Sequence, residues 1–173
     1  EPDRIVGDHC GTCERCVVAC PTQAIGAKGI VDSRKCLSYW SIEHSGAIPP
    51  EIMSRFGNWF FGCDDCQTVC PHNAKKSPSI EDDLLPKNGW IELDKLLATE
   101  DDAIMERFIG TPLRRPKAVG LRRNALVVLG NSAQESALKV IEPYVISGDS
   151  VLRETAEWAL NNLTTKLGSR AHQ

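Results

Sequence analysis

All eight cysteines of this 173-residue chain lie within its first seventy residues. Two runs have similar spacing, and each ends in a cysteine followed by a proline. The positions are Cys10, Cys13, Cys16 and Cys20 in the first run, Cys36 alone, and Cys63, Cys66 and Cys70 in the second run. Proline fixes φ and donates no hydrogen bond, so Pro21 and Pro71 are expected to turn the chain after each run. A segment so rich in thiols is expected to fold around whatever the thiols bind.

The first run has the spacing with which bacterial ferredoxins bind [4Fe–4S] clusters. Three close thiolates hold one cluster, and the fourth, before the proline, binds the other. When the second run is aligned with the first, Phe60 stands where Cys10 would be, so only Cys36 can supply the missing thiolate. Because each cluster needs four thiolates, the sequence predicts two crossed sets. The predicted sets are Cys10, Cys13, Cys16 and Cys70 for the first cluster, and Cys20, Cys36, Cys63 and Cys66 for the second.

Other uses of eight cysteines fit the sequence less well. Two zinc sites would also use four thiolates each, but zinc sites rarely have three cysteines at this spacing followed by Cys-Pro. A disulfide framework is typical of secreted proteins, and nothing in the sequence resembles a secretory signal peptide. Purely structural clusters are a further alternative, although two clusters that share ligands favour electron transport because one would suffice as a structural centre.

The segment between Cys36 and Cys63 is rich in aromatic residues and has two interpretations. It either covers the second cluster against water, which tunes the potential of the cluster, or faces the group that receives the electron. Asp64 and Asp65 lie inside the second Cys-x2-Cys loop, where their carboxylates are expected to lower the cluster potential.

Charge is distributed unevenly behind a net charge of −3. Residues 81–106 carry nine acidic side chains and two lysines, whereas residues 107–123 carry six cations and no acid. We predict that RNA phosphates bind this basic segment, because clustered guanidinium groups beside a helix N-terminus suit phosphate. The predicted contacts are Arg114, Arg115, Lys117, Arg122 and Arg123. The alternative is that these cations neutralise the acidic side chains of residues 81–106.

The fold class predicted is mainly α, with a bacterial two-[4Fe–4S] ferredoxin-like domain followed by a short HEAT-like helical repeat domain. The predicted boundaries are 1–75 for the cluster domain, 76–90 for a connector and 91–173 for the helices. Residues 121–131 match residues 152–162 at several positions, as helix-pair repeats do. Chance similarity of two amphipathic helices is the alternative, and so short an array is expected to pack on the cluster domain. No apolar run approaches the length of a membrane span, and we expect a cytoplasmic protein.

Four segments together resemble epoxyqueuosine reductases, and the resemblance runs from about residue 5 to residue 163. They are Cys-Gly-x-Cys-x2-Cys-x3-Cys-Pro-Thr at 10–22, Cys-x-Ser-Tyr-Trp-Ser-Ile-Glu at 36–43, Gly-Cys-Asp-Asp-Cys-Gln-x-Val-Cys-Pro at 62–71, and Arg-Arg-x6-Arg-Arg-Asn-Ala at 114–125. The resemblance implies two crossed clusters, a cobalamin cofactor and helices that help hold a tRNA anticodon stem-loop. It also implies reduction of epoxyqueuosine to queuosine in tRNA, with electrons passing through the clusters from a low-potential donor.

In that family a further domain precedes the first cysteine run and supplies most of the cobalamin site and a catalytic aspartate. Only nine residues precede Cys10 here. We therefore expect the cobalamin domain to be missing or to lie on another chain, assign no catalytic residue, and expect the chain alone to be inactive. By analogy, Ser38, Ser41 and Asp64 are expected to face cobalamin from the cluster side. The alternative function is a ferredoxin-type electron carrier whose helices dock another redox enzyme. A third possibility is an RNA-binding protein with structural clusters.

Overall fold

The structure, a computed structural model, describes residue 7 and residues 10–26, 29–74 and 90–170. Of the predicted connector, 76–90, only Trp90 is inside the described residues. β structure in the described part is limited to one isolated antiparallel bridge, between Ile25 and Val31. The prediction of a mainly helical chain is therefore confirmed. None of the described helices is both long and apolar enough to cross a membrane.

Short helices form the cysteine-rich half, and longer ones form the second half. The first four are α1 (Arg15–Ala19), α2 (Leu37–Ile42), α3 (Pro50–Met53) and α4 (Asp65–Thr68). The others are α5 (Leu93–Ala98), α6 (Asp101–Arg107), α7 (Lys117–Asn131), α8 (Leu138–Ile141) and α9 (Ser150–Arg170). Short 3-10 helices cover Pro112–Arg114, Glu135–Ala137 and Glu142–Ile146. Asp101 and Asp102 begin α6, where their carboxylates meet the positive end of the helix dipole.

Helix α7 is the centre of the fold. Its residues Leu121, Ala125 and Leu126 are fully buried in the larger core, together with Phe108 before it and Leu163 of α9. The opposite side of α7 contributes Val127 to a second core, made otherwise by residues of the cysteine-rich half: Leu37, Ile48, Met53 and Phe56. One helix thus belongs to both cores, and the helical half packs on the cysteine-rich half as expected. The matching segments 121–131 and 152–162 lie in α7 and α9, which pack against each other; their HEAT-like character stays a prediction.

Close approach of α7 and α9 depends on a glycine. A Cβ built on Gly130 would lie 2.7 Å from the Cα and 2.8 Å from the Cβ of Ala159, so the helices could not keep this separation. The side-chain amide of Asn162 donates to the Gly130 carbonyl oxygen at 3.0 Å and stabilises the same crossing.

Substituting alanine for Gly130 is therefore expected to lower the free energy of unfolding by about 1–3 kcal/mol, the usual cost of overpacking a core. Gly168 is the matched control, because it lies in α9 with nothing within 4 Å of its added Cβ. Alanine there should be neutral or raise stability by up to about 1 kcal/mol, since glycine is a poor helix former. Thermal unfolding of both variants measures the contrast, and equal effects would refute the close-packing explanation.

Candidate iron–sulfur and RNA-binding sites

Four cysteines line a single cavity of about 250 Å³ in the cysteine-rich half. They are Cys20, Cys36, Cys63 and Cys66, the set that the sequence predicts for the second cluster. Cys20 follows the last residue of α1, Cys36 precedes α2, and Cys66 lies in α4. The donor set suits a [4Fe–4S] cluster in number and type, because four cysteines from three separate segments line one cavity.

Helices α1 and α4 pack against each other, which places the last cysteine of each run beside the other run. Cys70, which follows α4, lines a groove with Arg15, Val18 and Ala19 of α1. Cys20 lines the cavity with Cys63 and Cys66 of the second run. The set predicted for the first cluster is more open, with Cys10 and Cys13 exposed and Cys16 and Cys70 half-buried. No disulfide joins any two of the eight cysteines, all of which are among the described residues.

The electrostatic surroundings of the thiols differ within the second set. Burial raises the pKa of Cys63 to about 11, and the neighbouring carboxylate of Asp65 adds to this effect. Burial also raises the pKa of Cys66. At Cys20 burial is outweighed by hydrogen bonds from the backbone of Thr22 and Ala24, which lower the pKa of the thiol. The Ala24 amide donates to the Cys20 Sγ at 3.2 Å. A buried thiolate is unfavourable unless a cation lies beside it. Cys63 and Cys66 are therefore better suited to bind iron than to ionise without a metal.

The three residues expected to face cobalamin have different surroundings. Ser38 and Asp64 line the cavity of the second cysteine set, and the Ser38 hydroxyl donates to the Cys63 carbonyl oxygen at 3.3 Å. Ser41 is fully buried. Its hydroxyl donates to the Leu37 carbonyl oxygen at 2.9 Å and accepts from the Gly62 amide at 3.0 Å. The expectation for Ser41 is therefore corrected. Its side chain links α2 to the segment before Cys63 and is not accessible to a cofactor.

Arg123 also differs from its predicted role, because it is fully buried. Its guanidinium donates to three backbone carbonyl oxygens around the end of α2: Trp40 at 2.7 Å, His44 at 2.7 Å and Gly46 at 2.8 Å. Burial lowers the pKa of Arg123 to about 10, which leaves it charged at neutral pH. The adjacent Asn124 donates to the Ser41 carbonyl oxygen at 2.7 Å. Arg123 therefore joins α7 to the segment between Cys36 and Cys63, and the prediction that it contacts RNA is corrected.

Arg122 lies on another side of α7 and is also held within the protein. It forms a salt bridge with Asp101 at 2.7 Å, and its side chain is only 12% exposed. The same guanidinium donates to the Leu97 carbonyl oxygen and to the Tyr144 hydroxyl, each at 2.6 Å. The structure therefore favours the alternative interpretation for Arg122, in which it neutralises an acidic side chain of residues 81–106, over a contact with RNA phosphate.

Three of the predicted RNA contacts remain accessible: Arg114, Arg115 and Lys117 are exposed. They lie together at the turn before α7 and at its first residue. Arg115 forms a 2.6 Å salt bridge with Glu43 in which both side chains are substantially exposed, an arrangement that contributes little stability and can be exchanged. Of the six cations of residues 107–123, Arg107 at the end of α6 is also exposed, and the other three exposed ones lie together at the N-terminal end of α7.

Comparison with known protein families supports an iron–sulfur site in the cysteine-rich half. Residues 9–73 match a family described as a 4Fe-4S double cluster binding domain, which confirms the predicted double-cluster domain without testing the individual ligands.

Over most of its length the chain is similar to epoxyqueuosine reductases. One from Xanthomonas campestris is 40% identical over 155 residues, which cover 88% of this chain and 44% of the relative. A solved structure of the Bacillus subtilis epoxyqueuosine reductase superposes with a TM-score of 0.86 at 30% identity, covering 98% of this chain and 47% of that one. Another epoxyqueuosine reductase, solved with an epoxyqueuosine-modified tRNA-Tyr stem loop, gives a TM-score of 0.87 at 30% identity. The chain spans less than half the length of these proteins. By sequence and by fold, it belongs to the epoxyqueuosine reductase family.

Proposed function

We propose that this chain is the electron-delivering and RNA-binding part of an epoxyqueuosine reductase. The observation that carries the proposal is the cavity lined by Cys20, Cys36, Cys63 and Cys66. It sits in a chain whose relatives carry the reductase name, and one solved relative is bound to an epoxyqueuosine-modified stem loop. The proposed reaction converts the epoxide of the modified base to the cyclopentene of queuosine. It consumes two electrons and two protons and releases the oxygen as water.

The residues of this chain have two tasks in that reaction. The two crossed cysteine sets hold [4Fe–4S] clusters, which when bound supply one-electron carriers. The protein around the second set then tunes them: the Ala24 amide donates to the Cys20 sulfur, whereas Asp64 and Asp65 place carboxylates beside the same cavity. Hydrogen bonds to cluster sulfurs raise the potential and nearby negative charge lowers it.

The second task is to hold tRNA, for which Arg114, Arg115 and Lys117 are the candidates. The cobalamin that the family resemblance implies is proposed to bind mainly to a part of the reductase other than this chain, with Ser38 and Asp64 on the side that faces it. Helices α7 to α9 are proposed to act as a short HEAT-like unit that carries the RNA-binding turn. A low-potential electron donor and a cytoplasmic location complete the proposal.

Restoration of queuosine tests the proposal directly. The chain is fused to the cobalamin-binding domain of a relative and expressed in cells that lack their own reductase. Queuosine should then be found among the nucleosides of their tRNA, and a fusion carrying Cys36→Ala should leave only epoxyqueuosine. Failure of a fusion that retains both clusters would contradict the proposal and favour the alternative of an electron carrier for another enzyme.

RNA binding is expected to depend on salt through the exposed cations. Because each phosphate contact releases condensed counterions, Arg114→Ala and Lys117→Ala should each reduce the slope of log affinity against log salt by about 0.7–0.9. Lys139→Ala is the matched control, since Lys139 is an exposed cation on α8 and should leave the slope unchanged. Filter binding of an anticodon stem-loop over a salt series gives the three slopes. Equal slopes for all of the variants would show that the turn before α7 does not contact phosphate.

A further inference from the structure

An apolar groove lies beside the basic turn, and neither the clusters nor the phosphate contacts account for it. Its volume is about 450 Å³, and its walls include Asn58, Phe60, Phe61, Trp90, Pro112 and Leu113. These residues come from three segments: the chain before Cys63, the chain before α5, and the 3-10 turn Pro112–Arg114. A mostly apolar, concave site with one polar amide is typical of small-ligand pockets rather than of bare surface.

Trp90 is the unusual member of the groove. The residue is 93% exposed, whereas Phe60, Phe61 and Leu113 are partly buried against the larger core. Tryptophan is enriched at interfaces, and here it is continuous with the other apolar residues of the groove, as in the apolar patches that mark interaction sites. The neighbouring Glu92 is paired with Lys95, so its negative charge is partly neutralised.

The position of the groove next to Arg114 and Lys117 indicates what kind of group would occupy it. The same turn supplies two walls of the groove, Pro112 and Leu113, and the exposed guanidinium of Arg114 directly after them. Lys117 follows three residues later, also exposed. An aromatic platform next to clustered cations suits a nucleotide, because the base stacks on the ring while the adjoining phosphates meet the positive charge. Bases available for such stacking are unpaired ones in loops, since those of a duplex are already stacked.

We propose that this groove, with Trp90 as its platform, binds one unpaired base of the RNA loop while Arg114 and Lys117 hold the flanking phosphates. The inference rests on the proposed function, because it assumes that the chain binds RNA. It adds a base-binding site separate from the cavity of the second cysteine set, and it assigns Trp90, Phe60 and Phe61 to stacking. Stacking tolerates any base, so the groove contributes affinity and register more than sequence discrimination.

Removal of the ring tests the site. With the full chain, its clusters reconstituted, and a labelled anticodon stem-loop as probe, Trp90→Ala should weaken binding about 5- to 150-fold. Trp90→Phe should retain most of the affinity, because it keeps an aromatic face. The salt slope should be the same as for the unsubstituted chain, in contrast to Arg114→Ala, because no phosphate contact is lost. Ile146→Ala is the control, since Ile146 is 88% exposed in a different part of the surface.

A scan of abasic loop positions identifies the bound base. One abasic position should weaken binding to the unsubstituted chain as much as Trp90→Ala does, and combining the two changes should add nothing further. Unchanged affinity of Trp90→Ala would overturn the inference while leaving the proposed function intact, and would point to a protein segment as the occupant of the groove. Additive losses at every abasic position would also overturn it. If the unsubstituted chain binds no RNA at all, the proposed function fails first.

Discussion

Replacement of Arg123 by alanine is expected to lower the free energy of unfolding by about 3–5 kcal/mol, because it empties a buried site and leaves buried acceptors without donors. The carbonyl oxygens of Trp40, His44 and Gly46 each receive a hydrogen bond from this guanidinium, and Arg123 is fully buried. These acceptors lie between Cys36 and Cys63, two proposed ligands of the second cluster, so the segment that joins them should loosen as well. Anaerobic urea unfolding, followed by helix content and by cluster absorbance, measures both effects.

Arg114→Ala is the matched control for this result, because the same residue type is removed from an exposed position. It should change the unfolding free energy by no more than about 0.5 kcal/mol. Arg123→Lys should fall between the two, since lysine keeps the charge but lacks the planar fork that reaches several acceptors. If Arg123→Ala were as mild as Arg114→Ala, the guanidinium would not be joining the two halves.

Loss of Cys36 should remove one cluster and leave the other. Cys36 belongs to the set around the cavity, so Cys36→Ala is expected to reduce the iron content from about eight to about four per chain. The crossed arrangement makes a sharper prediction for Cys20, which lies in the first run of the sequence but faces the second set. Cys20→Ala should therefore give the same reduced EPR spectrum as Cys36→Ala, whereas Cys13→Ala should give a different one.

An uncrossed arrangement predicts the opposite grouping. If each run held its own cluster, Cys20→Ala and Cys13→Ala would share one spectrum and Cys36→Ala would have another. Iron and sulfide analysis of the three variants, together with their spectra, separates the two arrangements. The control is Cys70→Ala, which should resemble Cys13→Ala because Cys70 lies against α1.

The grouping of Cys20, Cys36, Cys63 and Cys66 around one cavity could be predicted from the sequence, because ligand chemistry restricts spacing strongly. Four thiolates per cluster and two runs of fixed spacing leave one assignment for Cys36, and the structure brings Cys36 to the same cavity as Cys20, Cys63 and Cys66. The start of helix α6 also has a signal in the sequence, because the carboxylates of Asp101 and Asp102 favour the N-terminal end of a helix. In both cases the information is local or is carried by the chemistry of the bound group.

The direction of each arginine could not be read from the sequence. Arg122 and Arg123 are adjacent, and on a helix adjacent side chains point about 100° apart. One meets Asp101 and Tyr144, and the other meets the backbone around the end of α2. Charge density alone cannot distinguish an exposed arginine that can bind phosphate from a buried arginine that donates to carbonyl oxygens. Backbone carbonyl oxygens are present at every residue, so the sequence does not show which of them an arginine will contact.

Ser41 and the groove at Trp90 illustrate the same limit. The Ser41 hydroxyl is occupied by the Leu37 carbonyl and the Gly62 amide, contacts that depend on how α2 is placed. The groove combines Phe61, Trp90 and Pro112, which are far apart in the chain, so only the tertiary packing brings them together.

The central claim is that this chain holds two [4Fe–4S] clusters. Metal analysis of the anaerobically purified chain, together with EPR after dithionite reduction, tests it most directly. We expect about eight irons and about eight sulfides per chain, and a spectrum of two magnetically interacting clusters. Zinc in place of iron, oxidised cysteine pairs, or about four irons per chain would contradict the account, because the chain would then lack the pair of electron carriers that its proposed role requires.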